Sequence, residues 1–158
     1  MTEALAPDIC VIGGGPGGLS VAAAAAAFGV PTVLIERDKM GGDCLNTGCV
    51  PSKALLAIAR RADQIRTAGV FGFDTQNVPV NFLKVCERIH KVIASAAPMD
   101  SAERFTALGV RVIQEHARFK DRKTLVAGDI EIRARRFVIA TGSTPAVSEI
   151  LASAAALT

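Results

Sequence analysis

The stretch Asp8-Ile9-Cys10-Val11-Ile12-Gly13-Gly14-Gly15-Pro16-Gly17-Gly18 decides the fold of this 158-residue chain. A short apolar run that ends in glycines is typical of a buried parallel strand. The alanine-rich segment from Leu19 to Phe28 then favours a helix, and Gly29 stands where helices commonly end. Pro31 to Glu36 predicts a second strand. These segments together predict a strand-helix-strand unit, the building block of a parallel sheet.

The residues Gly13 to Gly18 match the G-x-G-x-x-G pattern directly after a strand and at the start of a helix. Glycines there allow a tight turn and close approach of the backbone to a pyrophosphate, whose charge the helix N-terminus stabilises. Glu36 ends the second strand, where an acidic side chain accepts a hydrogen bond from a ribose 2′-hydroxyl. Because this carboxylate would repel a 2′-phosphate, we predict a site for FAD or NAD rather than NADP. The alternative is a purely structural glycine turn.

A second informative stretch is Gly41-Gly42-Asp43-Cys44-Leu45-Asn46-Thr47-Gly48-Cys49-Val50-Pro51-Ser52-Lys53. Five residues of regular helix rise about 7.5 Å, whereas a disulfide needs Cα atoms roughly 4.4 to 6.8 Å apart. Pairing of the two cysteines therefore requires a distorted turn, and Gly48 supplies the backbone freedom for it. Pro51 suits the first position of a helix that begins just afterwards, which places Cys49 at a helix N-terminus. That helix end and the ammonium of Lys53 would both favour a thiolate, the nucleophilic form.

Two unrelated core cysteines or half of a zinc site would be alternative readings of this pair. Zinc sites normally have shorter cysteine spacings and four ligands. The remaining candidate ligands are scattered along the chain: Cys10, Cys86, His90 and His116. We therefore predict a redox-active disulfide and no metal site. Because a dithiol soon after Glu36 needs an electron partner close at hand, a flavin is the dinucleotide that fits best.

Composition limits the remaining function classes. Half of the residues are apolar and the length suits one domain with a substantial core. A formal charge of +3 is too slight to indicate nucleic acid or an anionic membrane as a partner. Met1 to Pro7 lacks the pattern of a secretory signal, and the apolar run from Val21 to Phe28 is far shorter than the roughly 20 residues that span a bilayer. We therefore expect a cytoplasmic protein, in which paired cysteines are more often catalytic than structural.

The rest of the chain predicts helices at Ser52 to Thr67 and Asn81 to Ala96. The apolar residues of the second helix share one face, so Cys86 is predicted to lie in the core and His90 in solvent. A further helical segment is predicted to end at Leu108, where Gly109 closes it. Short strands follow at Val110 to Glu115, Ala117 to Lys120, Thr124 to Val126, Ile130 to Arg133 and Phe137 to Ala140. A small antiparallel meander inserted into a parallel α/β sheet would account for them.

These segments resemble the pyridine nucleotide-disulfide oxidoreductases over roughly Asp8 to Pro145. The motifs that carry the resemblance are Gly13 to Gly18 with Glu36, Gly41 to Lys53, His116-Ala117-Arg118-Phe119 and Ala140-Thr141-Gly142. The resemblance implies a Rossmann-like FAD-binding domain at residues 1–146. It also implies electron transfer between NAD(P)H, FAD, the Cys44/Cys49 disulfide and a small dithiol or disulfide, as in dihydrolipoyl dehydrogenase-like members. Metal-ion reduction, as in mercuric reductase-like members, is an alternative.

The same resemblance implies roles for individual residues. Cys49 would face the flavin, Cys44 would be the outer interchange thiol, and Lys53 would be a cation near the flavin. Ala117 would contact the adenine through its backbone. The full set implied for the cofactor is Gly13, Gly15, Pro16, Gly17, Gly18, Glu36, Arg37, Gly42, Asp43, Cys44, Cys49, Lys53, Ala117, Thr141 and Gly142. Asp43 departs from the family pattern, in which threonine is commoner beside the pyrophosphate.

Members of this family normally continue after Ser143-Thr144-Pro145 into a nicotinamide-binding domain and a domain for homodimerisation. Residues 147–158 are instead an alanine-rich, atypical tail. The expectation is therefore a chain truncated relative to the family, without those two domains. A catalytically incompetent FAD-binding fragment is a second alternative. A flavin monooxygenase or a plain NAD-binding domain would share the glycine motif but would have no use for Cys44 and Cys49.

Overall fold

A computed structural model describes residues 3–74, 79–144 and 146. The strands are β1 Glu3–Leu5, β2 Ile9–Ile12, β3 Thr32–Ile35, β4 Arg111–Ile113, β5 Ala117–Phe119, β6 Leu125–Ala127, β7 Ile130–Ile132 and β8 Arg136–Ile139. The helices are α1 Pro16–Ala27, α2 Gly42–Asn46, α3 Cys49–Arg66, α4 Phe82–Ala96 and α5 Ala102–Ala107, with 3₁₀ turns at Ala68–Phe71 and Ala97–Asp100. The tail predicted at residues 147–158 lies outside the described residues.

The chain divides into two units. One is made of Met1–Gly42 and Asp100–Thr158, and the other of Asp43–Met99. The first unit contains both sheets described below, and the second is helical.

A four-stranded parallel sheet in the order β4-β3-β2-β8 forms the centre of the first unit. Ile9 of β2 pairs with Thr32 of β3 on one side and with Arg136 of β8 on the other. Helix α1 connects β2 to β3, as the strand-helix-strand prediction requires. Ligands of such sheets bind outside the carboxyl ends of the strands, at the point where the strand order reverses. In this sheet that point is β2, which has β3 on one side and β8 on the other.

A second sheet in the order β1-β7-β6-β5 belongs to the same unit. Strands β5, β6 and β7 form an antiparallel meander, and they lie in sequence between β4 and β8 of the parallel sheet. The predicted α/β fold with an inserted meander is therefore confirmed. The sequence did not predict β1, which pairs in parallel with β7, because three residues at an exposed edge leave no readable periodicity.

Two clusters of buried side chains cover the two faces of the parallel sheet. On one face Cys10 and Ile35 pack with Leu125 and Ile132 of the second sheet. On the other face Val11 and Leu34 pack with Leu19 and Ala22 of α1 and with Phe105 of α5. Gly18 lets α1 approach closely, since a Cβ at this position would lie 1.9 Å from the carbonyl oxygen of Gly13. The sheet is thereby buried on both sides, as its continuous apolar strands predict.

Helices α3 and α4 pack against each other in the second unit. Helix α3 begins at Cys49, three residues before the predicted start, and Pro51 is therefore its third residue instead of its first. The prediction failed there because the first N–H groups of a helix have no intrahelical acceptor, so proline is tolerated at any position of the first turn. The amide of Ser52 already donates to the carbonyl of Gly48 at 3.0 Å.

The apolar surface of α4 is less buried than its periodicity predicts. Neither α3 nor α4 contains a fully buried residue. Cys86 is half-buried, so its predicted place in the core is wrong, whereas His90 is exposed as predicted. The physical reason is that α4 packs against the helix α3, and a helix covers a narrower strip of an apolar face than a sheet does. Among the described residues, no helix combines the length and hydropathy needed to span a bilayer.

Candidate functional site

Three strand ends meet at Gly13. Its N–H donates to the carbonyl of Ile35 at 2.8 Å, and its φ of +112° lies in the region that favours glycine. A Cβ on Gly13 would lie 2.2 Å from the carbonyl oxygen of Ala140. The chain therefore leaves β2 through a turn that only glycine fits, and this turn contacts the residues that follow β3 and β8.

Helix α1 presents an uncapped N-terminus beside this turn. Gly15 is the N-cap residue and offers no side-chain acceptor, Pro16 is the first helical residue, and the first turn contains no acidic side chain. A Cβ placed on Gly17 would meet no atom within 4 Å, so the first turn is open beside this residue. Free N–H groups and the positive end of the helix dipole together form a site for an anion such as a pyrophosphate.

Glu36 is held at the end of β3 by two backbone amides. Its Oε2 accepts from the N–H of Gly14 at 2.5 Å, and its Oε1 accepts from the N–H of Asp38 at 2.7 Å. The side chain is half-buried. Each carboxylate oxygen has a second lone pair, so Glu36 can still accept from a ligand hydroxyl while its own chain fixes its orientation.

The glycine loop also contacts the segment that follows β3. The N–H of Gly41 donates to the carbonyl of Gly14 at 2.8 Å. Gly42 has a φ of +55°, and a Cβ there would lie 2.8 Å from the Cα of Gly15. The set of predicted site residues omitted Gly14 and Gly41, although both are glycines within the two quoted motifs. Both act through backbone groups that bond to other parts of the chain, and the spacing of the motifs does not specify these contacts.

The other predicted site residues of the first unit lie at or just beyond the ends of strands. Arg37 is exposed just after β3, and Thr141 and Gly142 are exposed just after β8. Gly142 has a φ of +70°. Ala117 begins β5 and packs, half-buried, on the core between the two sheets. Thr141 and Gly142 thus lie at the carboxyl edge with Gly13, whereas Ala117 belongs to the second sheet.

In the second unit the structure brings Cys44 and Cys49 together. Cys44 lies on α2, Cys49 is the first residue of α3, and both are free thiols. The hydrogen bond between their side chains raises the pKa of Cys44, and partial burial and the charge of Cys49 act in the same direction. A hydrogen bond from the backbone N–H of Cys49 opposes this increase in the pKa, and the charge of Lys53, one turn along α3, opposes it less. Cys44 is half-buried and Cys49 is exposed, so the pair is accessible to a reactant.

The parallel sheet, its glycine turn and the uncapped α1 define a dinucleotide-binding domain of the Rossmann type. The family model described as pyridine nucleotide-disulphide oxidoreductase matches residues 7–155. The chain therefore belongs to this family, whose members are FAD-dependent and typically use NAD(P). The resemblance expected from the motifs is confirmed.

Named relatives agree with this family. The chain is 36% identical to a dihydrolipoyl dehydrogenase of Buchnera aphidicola over 92% of its own length and 32% of the relative's. It is 32% identical to that of Geobacillus stearothermophilus, covering 90% of this chain and 31% of the relative. A mercuric reductase of Lysinibacillus sphaericus is 29% identical over 90% of this chain and 26% of the relative. The chain thus spans a third or less of the length of these curated relatives.

The fold is shared with a solved structure of a flavoprotein. It is described as the Cu(II) complex of the HOCl-induced flavoprotein disulfide reductase RclA from Escherichia coli. The likeness has a TM-score of 0.71 at 24% identity, and it covers 89% of this chain and 29% of the other. At that identity the likeness establishes the fold alone.

Proposed function

We propose that this chain is the FAD-binding part of a disulfide oxidoreductase of the dihydrolipoyl dehydrogenase type. It would move electrons between NAD(P)H, FAD, the Cys44/Cys49 couple and a small dithiol or disulfide. The observation that carries the proposal is the contact between the two thiols at the start of α3, where Cys49 is exposed. A nucleotide-binding domain without redox chemistry has no use for such a pair.

The residues of the first unit fit the cofactor. The N–H groups at the start of α1 suit its pyrophosphate, the carboxylate of Glu36 suits a ribose hydroxyl, and the loop after β8 suits close approach of the ring system. When bound, FAD supplies a carrier that accepts or returns two electrons. The proposed binding set comprises Gly13, Gly15, Pro16, Gly17, Gly18, Glu36, Arg37, Gly42, Ala117, Thr141 and Gly142 from the first unit, and Asp43, Cys44, Cys49 and Lys53 from the second.

The thiol pair carries out the exchange with the substrate. When a substrate disulfide is reduced, the thiolate of Cys44 attacks one sulfur and releases the other as a thiol, which leaves a mixed disulfide. The thiolate of Cys49 then attacks the sulfur of Cys44 and releases the second substrate thiol. The substrate gains two electrons and the protein keeps a Cys44–Cys49 disulfide. Oxidation of a substrate dithiol runs through the same steps in reverse.

The raised pKa of Cys44 has a consequence for this exchange. Only the thiolate attacks, so the thiol of Cys44 must first lose its proton. The side-chain hydrogen bond with Cys49 retains the proton, whereas the backbone N–H of Cys49 and, less strongly, the ammonium of Lys53 favour its loss. Lys53 is therefore proposed to assist exchange by stabilising the thiolate. A reducing compartment such as the cytoplasm suits a cysteine pair that works by exchange.

We further propose that residues 1–146 correspond to the FAD-binding domain of the relatives. Nicotinamide binding and homodimerisation would belong to parts of the relatives that this chain does not match. Because the chain spans a third or less of the relatives' length, a second candidate is a domain that binds FAD but does not turn over alone. A third candidate is metal-ion reduction, which the mercuric reductase relative favours, since paired thiolates are good ligands of soft metals.

The test is FAD titration of the purified chain, followed by two-electron reduction with dithionite. The expected result is a saturable flavin absorbance with a long-wavelength charge-transfer band after reduction. The Cys49→Ser variant should lose this band, whereas Cys44→Ser should keep it and lose thiol exchange. The opposite pattern would reverse the two roles. A chain that cannot be reconstituted with FAD would refute the proposed flavin function. Electron transfer from the dithionite-reduced, FAD-loaded chain to oxidised lipoamide or to Hg²⁺ separates the three candidates, and transfer to neither favours the domain that binds FAD without turnover.

A further inference from the structure

The turn between α2 and α3 contains a hydrogen bond of unusual span. The N–H of Gly48 donates to the carbonyl oxygen of Asp43 at 2.5 Å, and the N–H of Thr47 donates to the same oxygen at 2.9 Å. Regular α-helices close with bonds between residues four apart, whereas the bond of Gly48 joins residues five apart. The carbonyl of Asp43 is thus shared between a normal helical bond and a wider one.

This span equals the spacing of the two cysteines. Cys44 directly follows Asp43, and Cys49 directly follows Gly48. A bond that draws Asp43 and Gly48 together therefore also draws the next residue of each together. The side chains of Cys44 and Cys49 accordingly lie within hydrogen-bond reach of each other. The wide turn accordingly explains how a Cys-x4-Cys spacing closes, which a regular helix would not allow.

The turn has no room for a side chain at Gly48. A Cβ there would lie 2.9 Å from the carbonyl oxygen of Asp43, 3.4 Å from its carbonyl carbon and 3.6 Å from the Cα of Cys44. The two nearest of these atoms belong to the bonded carbonyl, and all three are backbone atoms, which cannot rotate aside as a flexible side chain would. A substitution at Gly48 must therefore displace the carbonyl that holds the turn closed.

We propose that Gly48 is a positioning residue that sets the dithiol-disulfide equilibrium of Cys44 and Cys49. The inference rests on the proposed thiol chemistry of this pair and names the backbone contact that controls it. The disulfide depends more strongly on the turn than the dithiol does, because an S–S bond tolerates a narrow range of Cα separations and a thiol contact is weak. Widening the turn therefore makes the disulfide easier to reduce.

The experiment measures this equilibrium against glutathione. The two protein thiols and one oxidised glutathione give the Cys44–Cys49 disulfide and two reduced glutathione molecules, so two electrons and two protons pass to glutathione. The full chain is equilibrated at defined ratios of the two forms, quenched in acid, alkylated and analysed by mass spectrometry. For Gly48→Ala we expect the equilibrium constant for disulfide formation to fall about tenfold, which corresponds to about 30 mV.

The matched control is Gly69→Ala. Gly69 lies in the same unit, and a Cβ there would meet no atom within 4 Å. The equilibrium constant for disulfide formation in Gly69→Ala should therefore equal that of the wild type. If the disulfide of Gly48→Ala forms at the same glutathione ratios as that of the wild type, the inference is overturned and the proposed function is left intact. A wild-type chain that forms no Cys44–Cys49 disulfide would overturn both. FAD is not required, so failure to bind the cofactor does not affect this readout.

A second measurement covers the case in which Gly48→Ala does not fold, as judged by loss of its cooperative unfolding transition. The amide of Gly48 should then be followed by hydrogen exchange in the reduced wild-type chain. Protection of this amide relative to an unstructured peptide supports the closed turn, because its N–H is bonded to Asp43. Exchange at the rate of an unstructured peptide overturns the inference.

Discussion

Glu36 is bonded to two amides of its own chain, those of Gly14 and Asp38. The sequence predicted an acidic acceptor at this position for a ribose hydroxyl, and the structure adds the reason why its side chain is oriented. A carboxylate fixed in this way loses little side-chain freedom when a ligand binds. The glycine loop and the acidic side chain are therefore one arrangement, since Gly14 belongs to the loop and also orients Glu36.

Replacing Glu36 by glutamine tests this arrangement. Glutamine keeps one acceptor oxygen, so one of the two amides, or the ligand hydroxyl, loses its partner. We expect the affinity for FAD to fall by roughly 10- to 100-fold, since hydrogen bonds to charged groups contribute about 1.5–3 kcal/mol. Isothermal titration calorimetry measures the change. Glu131→Gln, which removes a carboxylate bonded to exposed Lys120, serves as the control, and equal affinity of Glu36→Gln and wild type would contradict the role of Glu36.

Strand β2 is the central element of the first unit, because it pairs with β3 on one side and β8 on the other. Its residue Cys10 is fully buried among the side chains that join the two sheets. Desolvation raises the pKa of the Cys10 thiol to about 12. This cysteine fills space in the core, as its place in an apolar strand predicts. Its burial keeps the thiol protonated and therefore unreactive.

The raised pKa of Cys10 predicts a loss of stability at alkaline pH. Below about pH 9 the thiol is neutral in the folded and in the unfolded chain, so its contribution to the free energy of unfolding is fully present. As the pH rises from 9 toward 12, the thiol ionises in the unfolded chain first, and this contribution is lost. Urea denaturation at pH 8 and 10.5 should show a stability loss larger by about 2 kcal/mol in the wild type than in Cys10→Ala.

The half-buried cysteine of α4 provides the control for this measurement. Cys86→Ala should lose as much stability as the wild type between the two pH values, since Cys10 is retained. The constant cost of the cavity in Cys10→Ala cancels, because only the change with pH is compared. An equal pH-dependent loss in Cys10→Ala and in the wild type would show that Cys10 ionises in the folded protein as readily as in the unfolded one.

The two units of the whole molecule differ in how they bury apolar surface. Every residue of β3 is buried, whereas α3 and α4 contain none that is. In the second unit the side chains of Val70, Phe71, Phe82 and Leu83 are 68 to 84% exposed. A helical pair that buries little surface has a small free energy of local opening, because its hydrogen bonds are supported by few packing contacts.

Native-state hydrogen exchange with peptide-level mass spectrometry should therefore separate the two units. We expect the amides of β3 to be protected at least about 100-fold more than those in the middle of α3, which is a difference of about 2.7 kcal/mol in opening free energy. Exchange at two pH values verifies that opening equilibria determine the rates. Equal protection of β3 and α3 would show that both units open only in global unfolding.

The sequence by itself determined the strand-helix-strand unit, the glycine turn, the acidic end of β3 and the family. These features depend on local rules, since apolar runs, glycine conformations and helix ends are set by neighbouring residues. The start of α3 was misplaced by three residues, because proline is tolerated throughout the first turn of a helix. Local rules therefore predict reliably whether a segment is a helix or a strand, and they predict less reliably the residue at which it begins or ends.

Only the tertiary structure decided which groups meet. The pairing of β1 with β7, the bond of Gly14 to Glu36 and the contact of Gly42 with Gly15 join segments that are distant in sequence. The incomplete burial of Cys86 likewise depends on what packs against α4. The cysteine motif is local, yet the bond between Asp43 and Gly48 that closes its turn does not follow from the spacing of the two cysteines. Spacing states how far apart two residues are along the chain, and only the folded backbone determines whether they touch.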